Sequence, residues 1–345
     1  MPKVELLSLA YFIIDEIRLV DGTVKKNVIG GGGTHATYGM RIWYPSPESQ
    51  KIGFVIQAGN DFPSSIFQAL LPPNLNLTLA VHSTRPSTRG LNVFASNGNY
   101  EFSYVTPSIR TEPRDLPSSY LECNIIHLLC SPTQAKLQIS EVLRLRDKQL
   151  PRPVFVWEPS PRSSKRINWD SLLEAMRLVD VILPNHKEAA ALLGLVDEDN
   201  KGSNACEEFL TKDMLNRIVD EFLSHPIGIH GDGCVILRAA HVGCVVATKQ
   251  ERRHIPAYYD NPSQLIVDVT GAGNSFCGGV AAGLLKTNFD VFEAALYGTV
   301  SASYTIEQVG VPTLKGLNDA GQELWSDEDG VPEVRLAKLR QRISE

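Results

Sequence analysis

The sequence lacks the features that mark secreted, zinc-stabilised or membrane-spanning proteins. Its six cysteines include no Cys-x-x-Cys pair and no histidine at zinc-ligand spacing, so we predict reduced, mostly buried thiols. No stretch approaches the ~18 consecutive apolar residues of a membrane helix. The first residues also lack a basic region followed by the apolar core of a secretion signal. We therefore expect a cytoplasmic protein that does not bind membranes.

Excess positive charge is also absent. The 33 lysine and arginine residues are outnumbered by 39 aspartate and glutamate residues, which gives a net charge of −6. No basic run or face is visible, so we do not expect general nucleic-acid binding. A polyphosphate ligand remains compatible with this charge, because helix N-termini supply local positive potential. The Gly-x-Gly-x-x-Gly fingerprint of dinucleotide-dependent oxidoreductases is missing after the first predicted strand, which argues against that class.

The sequence does contain a regular alternation of apolar runs and helical patterns. This alternation predicts an α/β fold with a doubly wound, mostly parallel sheet and right-handed crossovers. Ligands of such a sheet bind beyond the carboxyl ends of its strands. The predicted strands are residues 4–12, 53–57, 125–129, 154–157, 181–183, 227–230, 235–237 and 244–247. The predicted helices are residues 34–42, 63–70, 133–148, 169–178, 187–193, 212–224, 272–285 and 291–306.

The length of 345 residues allows one large domain or two ordinary ones. We assign residues 1–312 to one α/β domain and residues 313–345 to a peripheral C-terminal extension. The extension carries a charged helical pattern over residues 331–343. Residues 196–210 have loop composition without a strong period, so we predict a surface insertion there.

Two polar segments predict a small β lid over the sheet. The first, residues 76–106, carries an Asn97-Gly98 hairpin signal. Its short strand patterns are 77–82, 91–95 and 100–105. The second segment, residues 14–29, completes the predicted lid, which is also a candidate contact for a homodimer.

The most informative motif follows an apolar run that ends at Asp268. Glycines at 271 and 273 permit a tight turn around Ala272, and a long helix of small residues comes next. The first free N–H groups of that helix would point at a negatively charged group, so the motif predicts an anion site. A phosphate-transfer site usually places a carboxylate at the helix start to receive the acceptor's proton. This chain has Asn274 there.

The motif resembles the signature Asp-Thr-x-Gly-Ala-Gly-Asp-x-Phe of the PfkB, or ribokinase-like, family of carbohydrate and nucleoside kinases. Val269 stands in place of Thr, and Asn274 stands in place of the catalytic Asp. The resemblance implies a ribokinase-like domain, ATP and magnesium as cofactors, and a small-molecule sugar or nucleoside substrate. It also implies that the Gly271–Gly273 turn stabilises the migrating phosphoryl group and that Asn274 orients the acceptor hydroxyl. Asp268 would fix the loop or help to hold a monovalent cation such as potassium.

Further motifs resemble the family's nucleotide site. Asn185-x-x-Glu188 is similar to the pair that organises magnesium, and the resemblance implies that Glu188 binds the ion through water. The same spacing is also a helix capping box, and both interpretations remain open. The nucleotide-binding residues implied by the resemblance are Asn185, His230, Gly231, Gly233 and Pro256, with the segment 302–310 closing the other side of the adenine pocket.

Two more motifs resemble the family's substrate site. The glycines that precede His35 are similar to the Gly-Gly-x-x-x-Asn-x-Ala substrate loop, with His35 near the usual Asn. Asp15 stands where the family grips sugar hydroxyls, although an Asp after an apolar run is also a common turn residue. The implied substrate-binding residues are Asp15, Gly31, Gly32 and His35. His35 is also a candidate base, because the unperturbed pKa of histidine is about 6.5.

These motifs leave two functional hypotheses. Phosphoryl transfer depends chiefly on positioning and electrostatics, so the loss of a base at residue 274 predicts a slow kinase. The alternative is a pseudokinase that binds a nucleotide or metabolite and acts through partner interactions. The variant Gly-Ala-Gly-Asn-Ser-Phe is similar to the maintenance-of-killer proteins, a fungal branch of the family, which favours a non-metabolic role.

Overall fold

The computed structural model describes residues 3–94, 100–196, 209–260 and 263–345. Its strands are β1 (Leu6–Ser8), β2 (Ile13–Arg18), β3 (Val24–Gly30), β4 (Ile52–Ala58), β5 (Asn76–Val81), β6 (Arg89–Phe94), β7 (Tyr100–Tyr104), β8 (Ile125–Cys130), β9 (Val154–Pro159), β10 (Val181–Ile182), β11 (Cys234–Arg238), β12 (Cys244–Ala247), β13 (Arg252–Ile255), β14 (Gly316–Leu317) and β15 (Glu323–Leu324). Its helices are α1 (Gly32–Arg41), α2 (Ser64–Ala69), α3 (Pro132–Leu145), α4 (Trp169–Met176), α5 (His186–Leu193), α6 (Lys212–Leu223), α7 (Ala272–Lys286), α8 (Val291–Ile306) and α9 (Pro332–Ser344).

Within the described residues, nine strands form a central sheet in the order β13-β12-β11-β10-β9-β8-β1-β4-β5. The strands from β11 to β5 run parallel, whereas β12 and β13 are antiparallel. Successive residues of one strand enter different cores. Leu7 belongs to the core that contains buried residues of α3, α4 and α6, whereas Leu6 belongs to the core that contains buried residues of α1, α7, α8 and α9. Helices therefore cover both faces, and the predicted doubly wound, mostly parallel α/β fold is confirmed.

Local sequence signals explain how the helices near the carboxyl edge of the sheet begin. Asn185 caps α5 by accepting a hydrogen bond from the N–H of Glu188, and Gly194 ends the helix in the left-handed conformation. Helix α7 begins after Gly271, which also has a positive φ. The small residues of α7 let it approach α1 closely, since a Cβ at Gly278 would lie 1.9 Å from the carbonyl oxygen of Ala36. This packing anchors the N-terminus of α7 below the sheet edge.

A second sheet, in the order β3-β2-β6-β7, forms the predicted small β lid. Its composition differs from the prediction in two ways. The sequence predicts one strand over residues 4–12, but the chain leaves the central sheet after Ser8 and enters the lid as β2. The segment predicted as the first lid strand is instead β5, because it pairs in parallel with β4 at the edge of the central sheet. The Asn97-Gly98 signal lies outside the described residues.

One predicted strand is wrong. Residues 227–230 form a turn rather than a strand, because Gly228 and Gly231 both adopt positive φ values, of 81° and 72°. The extended chain begins only at Cys234. The sheet gains an unpredicted edge strand, β13, which pairs with β12. Most of the predicted insertion at 196–210 lies outside the described residues.

The segment 313–345 is packed into the domain and is not a peripheral extension. Trp325, Leu336 and Leu339 are buried in the same core as α1, α7 and α8. Glu323 also forms a buried bidentate ion pair with Arg41 of α1, with Nη1 to Oε2 at 2.6 Å and Nη2 to Oε1 at 2.8 Å. The segment therefore completes the core on one face of the sheet.

No helix in the described part of the chain is long and apolar enough to cross a membrane. The described cysteines are buried and carry free thiols: Cys123, Cys130, Cys234, Cys244 and Cys277.

Candidate functional site

The carboxyl ends of the parallel strands meet the N-terminus of α7 at one edge of the sheet. Glu158 lies at the end of β9, and Arg238 ends β11. Asn185 follows β10 and forms a parallel bridge with Arg238. Asn274 lies in the first turn of α7. Four side chains that are far apart in the chain therefore share one location, where a parallel sheet commonly binds its ligands.

The N-terminus of α7 has the geometry of an anion site. Gly271 has a φ of 79°, and a Cβ there would lie 2.3 Å from the ring of His35. A Cβ at Gly273 would lie 2.1 Å from Nη1 of Arg238. The N–H groups of Gly273 and Asn274 fall in the first turn, where the helix itself offers no acceptor. Gly271 is therefore favoured both by its positive φ and by the His35 ring, whereas a side chain at residue 273 would have to displace the guanidinium of Arg238.

The guanidinium of Arg238 is buried between two carboxylates. Its Nη2 lies 2.7 Å from Oε1 of Glu158 and 3.4 Å from Oε2 of Glu188, and its Nε donates to the carbonyl of Leu183 at 3.1 Å. A cation beside the positive end of a helix dipole is unfavourable alone. The two carboxylates compensate it, so the three groups form one buried ionic cluster.

The two carboxylates of this cluster differ in proton affinity. Burial alone would raise the pKa of Glu158. The charge of Arg238, the interaction with His127 and a hydrogen bond from Asn274 outweigh burial and hold that pKa at about 2. Burial raises the pKa of Glu188 to about 7 despite the charge of Arg238, and the charge of Glu158 adds to the rise. Glu158 is therefore the member of the pair that gives up its proton more readily.

Asn274 faces this ionised carboxylate. Its Nδ2 donates to Oε2 of Glu158 at 2.8 Å. The same oxygen lies 3.7 Å from Nε2 of His127, whose Nδ1 is 3.0 Å from the hydroxyl of Ser8. Our reading of the sequence missed Glu158 and Arg238. The available signal was a charged residue at the carboxyl end of a buried strand in each case.

A cavity of about 530 Å³ extends from this cluster along α7 and α8. One end is polar and includes Asn185, Lys187 and Arg238. The other end is lined by apolar and aromatic side chains, which are Tyr258, Tyr259, Ile266, Val269, Phe276, Ala302 and Ile306. The predicted wall at 302–310 is thus part of the lining, whereas Pro256 is exposed and its neighbour Ala257 contributes instead. The cavity suits a ligand with an anionic end and a flat apolar end.

The structure does not bring His230, Gly231 and Gly233 to this cavity. They lie in the loop before β11, at the opposite end of the sheet from Arg238. His230 and Gly231 line a separate depression with Arg177 and Lys249. The turn that borders the cavity is the one between β11 and β12, which contributes Ala240, His241 and Gly243. Our prediction of the turn beside the nucleotide relied on glycine spacing. It missed the turn after β11, because Ala240 adopts a positive φ of 49° at a position where a glycine is more common.

The predicted substrate residues line the gap between the lid and the central sheet. A Cβ at Gly30 would meet Oδ2 of Asp15 at 1.9 Å, and a Cβ at Gly32 would meet Nδ2 of Asn274 at 3.1 Å. The glycine run therefore joins Asp15 to Asn274. Asp15 is buried and its Oδ1 lacks a hydrogen-bond partner. Burial raises its pKa to about 7, against a hydrogen bond from Asn92 that lowers it.

His35 and Asp268 occupy less accessible positions. His35 is buried under Gly271, and burial lowers its pKa to about 4, so its neutral ring supports the turn. Asp268 accepts the N–H of Thr270 through Oδ1 at 2.9 Å. Its Oδ2 and the hydroxyl of Thr270 are buried without a hydrogen-bond partner. These two oxygens fit the donor chemistry of a hard cation.

This chain is similar to known proteins over most of its length. Residues 25–315 match the sequence model of the pfkB family of carbohydrate kinases. An uncharacterized protein of Schizosaccharomyces pombe is 32% identical over 340 residues, which cover 94% of this chain and 90% of that protein. Protein MAK32 of Saccharomyces cerevisiae is 28% identical over 87% of this chain and 84% of its own length, so the predicted similarity to the maintenance-of-killer proteins is confirmed.

Comparison of structures shows the same fold. A protein of E. coli described as a ribokinase II, in complex with ATP and Mg²⁺, has a TM-score of 0.65 and 15% identity, with 98% of this chain and 99% of that chain covered. The family match extends over both the glycine run and the N-terminus of α7. This protein therefore belongs to the PfkB family of carbohydrate kinases.

Proposed function

We propose that this protein transfers the γ-phosphoryl group of ATP to a hydroxyl of a sugar or nucleoside, at a rate reduced by Asn274. The observation that carries the proposal is the convergence of the α7 N-terminus and Arg238 at the polar end of the cavity. Backbone N–H groups and a guanidinium are the groups that bind phosphate oxygens. The apolar end of the same cavity would hold the adenine.

The acceptor would lie between Asp15 and Asn274, along the glycine run. Its hydroxyl oxygen forms the new bond to phosphorus as the bond to the bridging oxygen of ADP breaks. Asn274 orients that hydroxyl but cannot take its proton at neutral pH, so the proton passes to an oxygen of the transferred phosphate. A general base is typically worth about 10²- to 10⁴-fold in rate. Its loss raises the barrier by roughly 3–5 kcal/mol, which leaves a slow kinase and not an inert one.

The donor set fits the metal ions of such a reaction. Glu158 and Glu188 converge on one nitrogen of Arg238, and magnesium is commonly held by one or two carboxylates together with water and phosphate oxygens. Glu188 would hold the ion, through water as the sequence predicts, while the oxygens of Glu158 stay paired with Arg238 and Asn274. A bound magnesium would neutralise phosphate charge. The E. coli neighbour with ATP and Mg²⁺ supports these cofactors for this chain. Asp268 and Thr270 would hold a monovalent cation such as potassium.

One observation favours a second candidate, a pseudokinase that binds nucleotide without turnover. Arg238 already neutralises the carboxylates that would otherwise attract magnesium. Asn274 removes the proton acceptor at the same place. Neither feature alters the cavity or the anion site, so nucleotide binding would persist.

A single experiment separates these candidates. Sugars and nucleosides are screened for phosphorylation with ATP and Mg²⁺, while ATP binding is measured by calorimetry. The variant is Arg238→Gln, and the matched control is Arg177→Gln, an exposed arginine at the opposite end of the sheet. Turnover that needs Arg238 but not Arg177 supports the kinase. ATP binding with no turnover of any acceptor indicates the pseudokinase, and absence of ATP binding contradicts both.

A further inference from the structure

Two arginines contact one aromatic cluster between the lid and the central sheet. Arg110 follows the lid strand β7, and Arg162 follows β9. Arg110 donates from Nε to the hydroxyl of Tyr11 at 2.8 Å, and its guanidinium lies 5.5 Å from the centre of that ring. The guanidinium of Arg162 lies 4.7 Å from the centre of the Tyr104 ring. The two tyrosine rings are 6.2 Å apart, so the four side chains form one cluster.

The positive charges of Arg110 and Arg162 both act on the hydroxyl group of Tyr104. Burial raises the pKa of Tyr104 to about 12, while the charges of Arg162 and Arg110 act to lower it. Tyr11 and Asp15 add to the rise. The hydroxyl of Tyr104 is therefore within electrostatic reach of both guanidinium groups and of Asp15. Two like charges near one point repel each other unless an anion lies between them.

Asp15 lies near this cluster, but among the described residues neither it nor another carboxylate forms an ion pair with Arg110 or Arg162. No described carboxylate lies within 4.0 Å of the half-buried Arg110 or of the exposed Arg162. Most of the other described arginines that are buried or half-buried have such a partner. Glu112, two positions after Arg110, accepts a hydrogen bond from Gln134 at 3.3 Å instead. Cation–π contacts orient the two arginines and leave their in-plane N–H groups available, apart from the Nε–H of Arg110, which is donated to Tyr11.

The cluster adjoins the place assigned to the acceptor. The carbonyl oxygen of Tyr11 accepts the N–H of Gly33 at 2.9 Å, so the main chain of Tyr11 supports the glycine run. A Cβ at Gly90 would meet Oδ1 of Asp15 at 2.4 Å and the Phe102 ring at 2.6 Å. Phe102 in turn packs edge-on against Tyr104 at 5.0 Å. The arginines therefore stand beside Asp15, on the lid side of the glycine run.

We infer that Arg110 and Arg162 bind an anionic group, a phosphate or a carboxylate, on the acceptor itself. This inference rests on the proposed function for its choice of acceptor. The acceptor would then be an acidic or phosphorylated sugar or nucleoside that places its reacting hydroxyl at Asn274 and its anion in the cluster. Arginine suits both anions, because its planar fork makes paired hydrogen bonds to carboxylate or phosphate oxygens. A neutral sugar would leave the two positive charges uncompensated.

The test compares matched neutral and acidic ligands by calorimetry without ATP. The pairs are ribose with ribose 5-phosphate, which probes phosphate, and glucose with glucuronate, which probes carboxylate. We expect the acidic member of at least one pair to bind about tenfold tighter or more. Arg110→Gln and Arg162→Gln should each remove most of that preference, whereas Arg177→Gln should keep it. Equal binding within both pairs, or no binding by either acidic ligand, overturns the inference.

Further measurements keep the result independent of folding and of turnover. Arg110→Lys retains the charge and should retain part of the preference, and thermal unfolding of each variant shows whether the fold is intact. A preference unchanged in folded Arg110→Gln and Arg162→Gln also overturns the inference. Retained ATP binding in these variants distinguishes the two proposals. If acidic ligands bind through the arginines but no acceptor is phosphorylated, only the proposed kinase activity fails.

Discussion

The side-chain amide of Asn274 donates a hydrogen bond to the carboxylate of Glu158, with 2.8 Å between Nδ2 and Oε2. The two residues are 116 positions apart in the chain. Glu158 is buried and ionised, and its other oxygen is bound to Arg238. An amide donor satisfies this carboxylate, whereas an aspartate at residue 274 would place a second negative charge beside it. Asn274 is therefore matched to its surroundings and is more than a lost catalytic group.

This contact predicts that Asn274→Asp alone does not create an efficient kinase. The new carboxylate would repel Glu158, and one of the two would hold a proton near neutral pH. The double variant Glu158→Gln/Asn274→Asp leaves one carboxylate and restores the hydrogen bond in the reverse direction. We expect its kcat to exceed that of Asn274→Asp by about 10²-fold or more, as for a restored general base.

The measurement is steady-state phosphorylation of the acceptor found in the screen, with Glu158→Gln as the control. That single variant removes the carboxylate without supplying a base, so it should not be faster than the natural protein. A large gain in kcat from Asn274→Asp alone would show that Glu158 does not oppose a carboxylate at residue 274.

Asp15→Asn should make the protein more stable at neutral pH and weaken acceptor binding. Burial raises the pKa of Asp15 to about 7 from an unfolded value of 3.8. Because the folded pKa is the higher one, the contribution of Asp15 to stability is complete below pH 3.8 and is lost as the pH rises through about 7. Asp15→Asn has no carboxyl group to ionise at this position, so the variant does not lose this stability as the pH rises. Its free energy of unfolding should exceed that of the natural protein by a few kcal/mol at pH 8.

Urea unfolding from pH 4 to pH 8 checks this prediction, and calorimetry with the acceptor checks the second half. The difference in the free energy of unfolding between the two proteins reports on Asp15 alone, because Glu188 and His35 titrate in both proteins. Two parallel stability curves would contradict the raised pKa. A more stable variant that binds the acceptor unchanged would remove Asp15 from the binding site.

Glu323→Gln should destabilise the protein strongly, because it breaks a buried ion pair. Arg41 is fully buried and would lose its only described carboxylate partner. Removal of one member of a buried pair typically lowers the free energy of unfolding by about 3–5 kcal/mol. The control is Asp327→Asn, which breaks an exposed pair with Lys315 at 3.5 Å and should cost less than about 1 kcal/mol. Equal effects in thermal unfolding would show that the C-terminal segment is not part of the core.

Gly271→Ala should reduce ATP affinity by at least about tenfold, whereas Gly321→Ala should not. Both glycines have a positive φ, of 79° and 75°, so both alanines incur about 1–2 kcal/mol of backbone strain. At Gly321 no atom lies within 4 Å of the added Cβ, but at Gly271 the ring of His35 lies 2.3 Å away. The alanine must therefore displace the turn that forms the anion site. Calorimetric titration with ATP measures the effect, and similar affinities in the two variants would mean that the turn does not contact the nucleotide.

Much of the fold could be predicted from local patterns. Continuous apolar runs such as β4 and β11 indicate strands buried on both faces, and they are fully buried. The capping box of Asn185 and Glu188 is present, with both hydrogen bonds at 2.8 Å. It does not exclude the metal role, since Glu188 also faces Arg238. The prediction that the glycines near residues 227–230 border the nucleotide was wrong. Glycine spacing alone does not say at which end of a strand a turn lies.

The sequence by itself determined the α/β class, the family and the glycine turn that begins α7. These features depend on residues close together in the chain, where spacing reports backbone conformation directly. Only the tertiary structure decided that Glu158 and Arg238 join Asn274 and that Arg110 and Arg162 contact the same aromatic cluster. Strand order sets which strand ends become neighbours, and that order follows from packing of the whole chain. The charges that define the chemistry of this site therefore come together only in the folded protein.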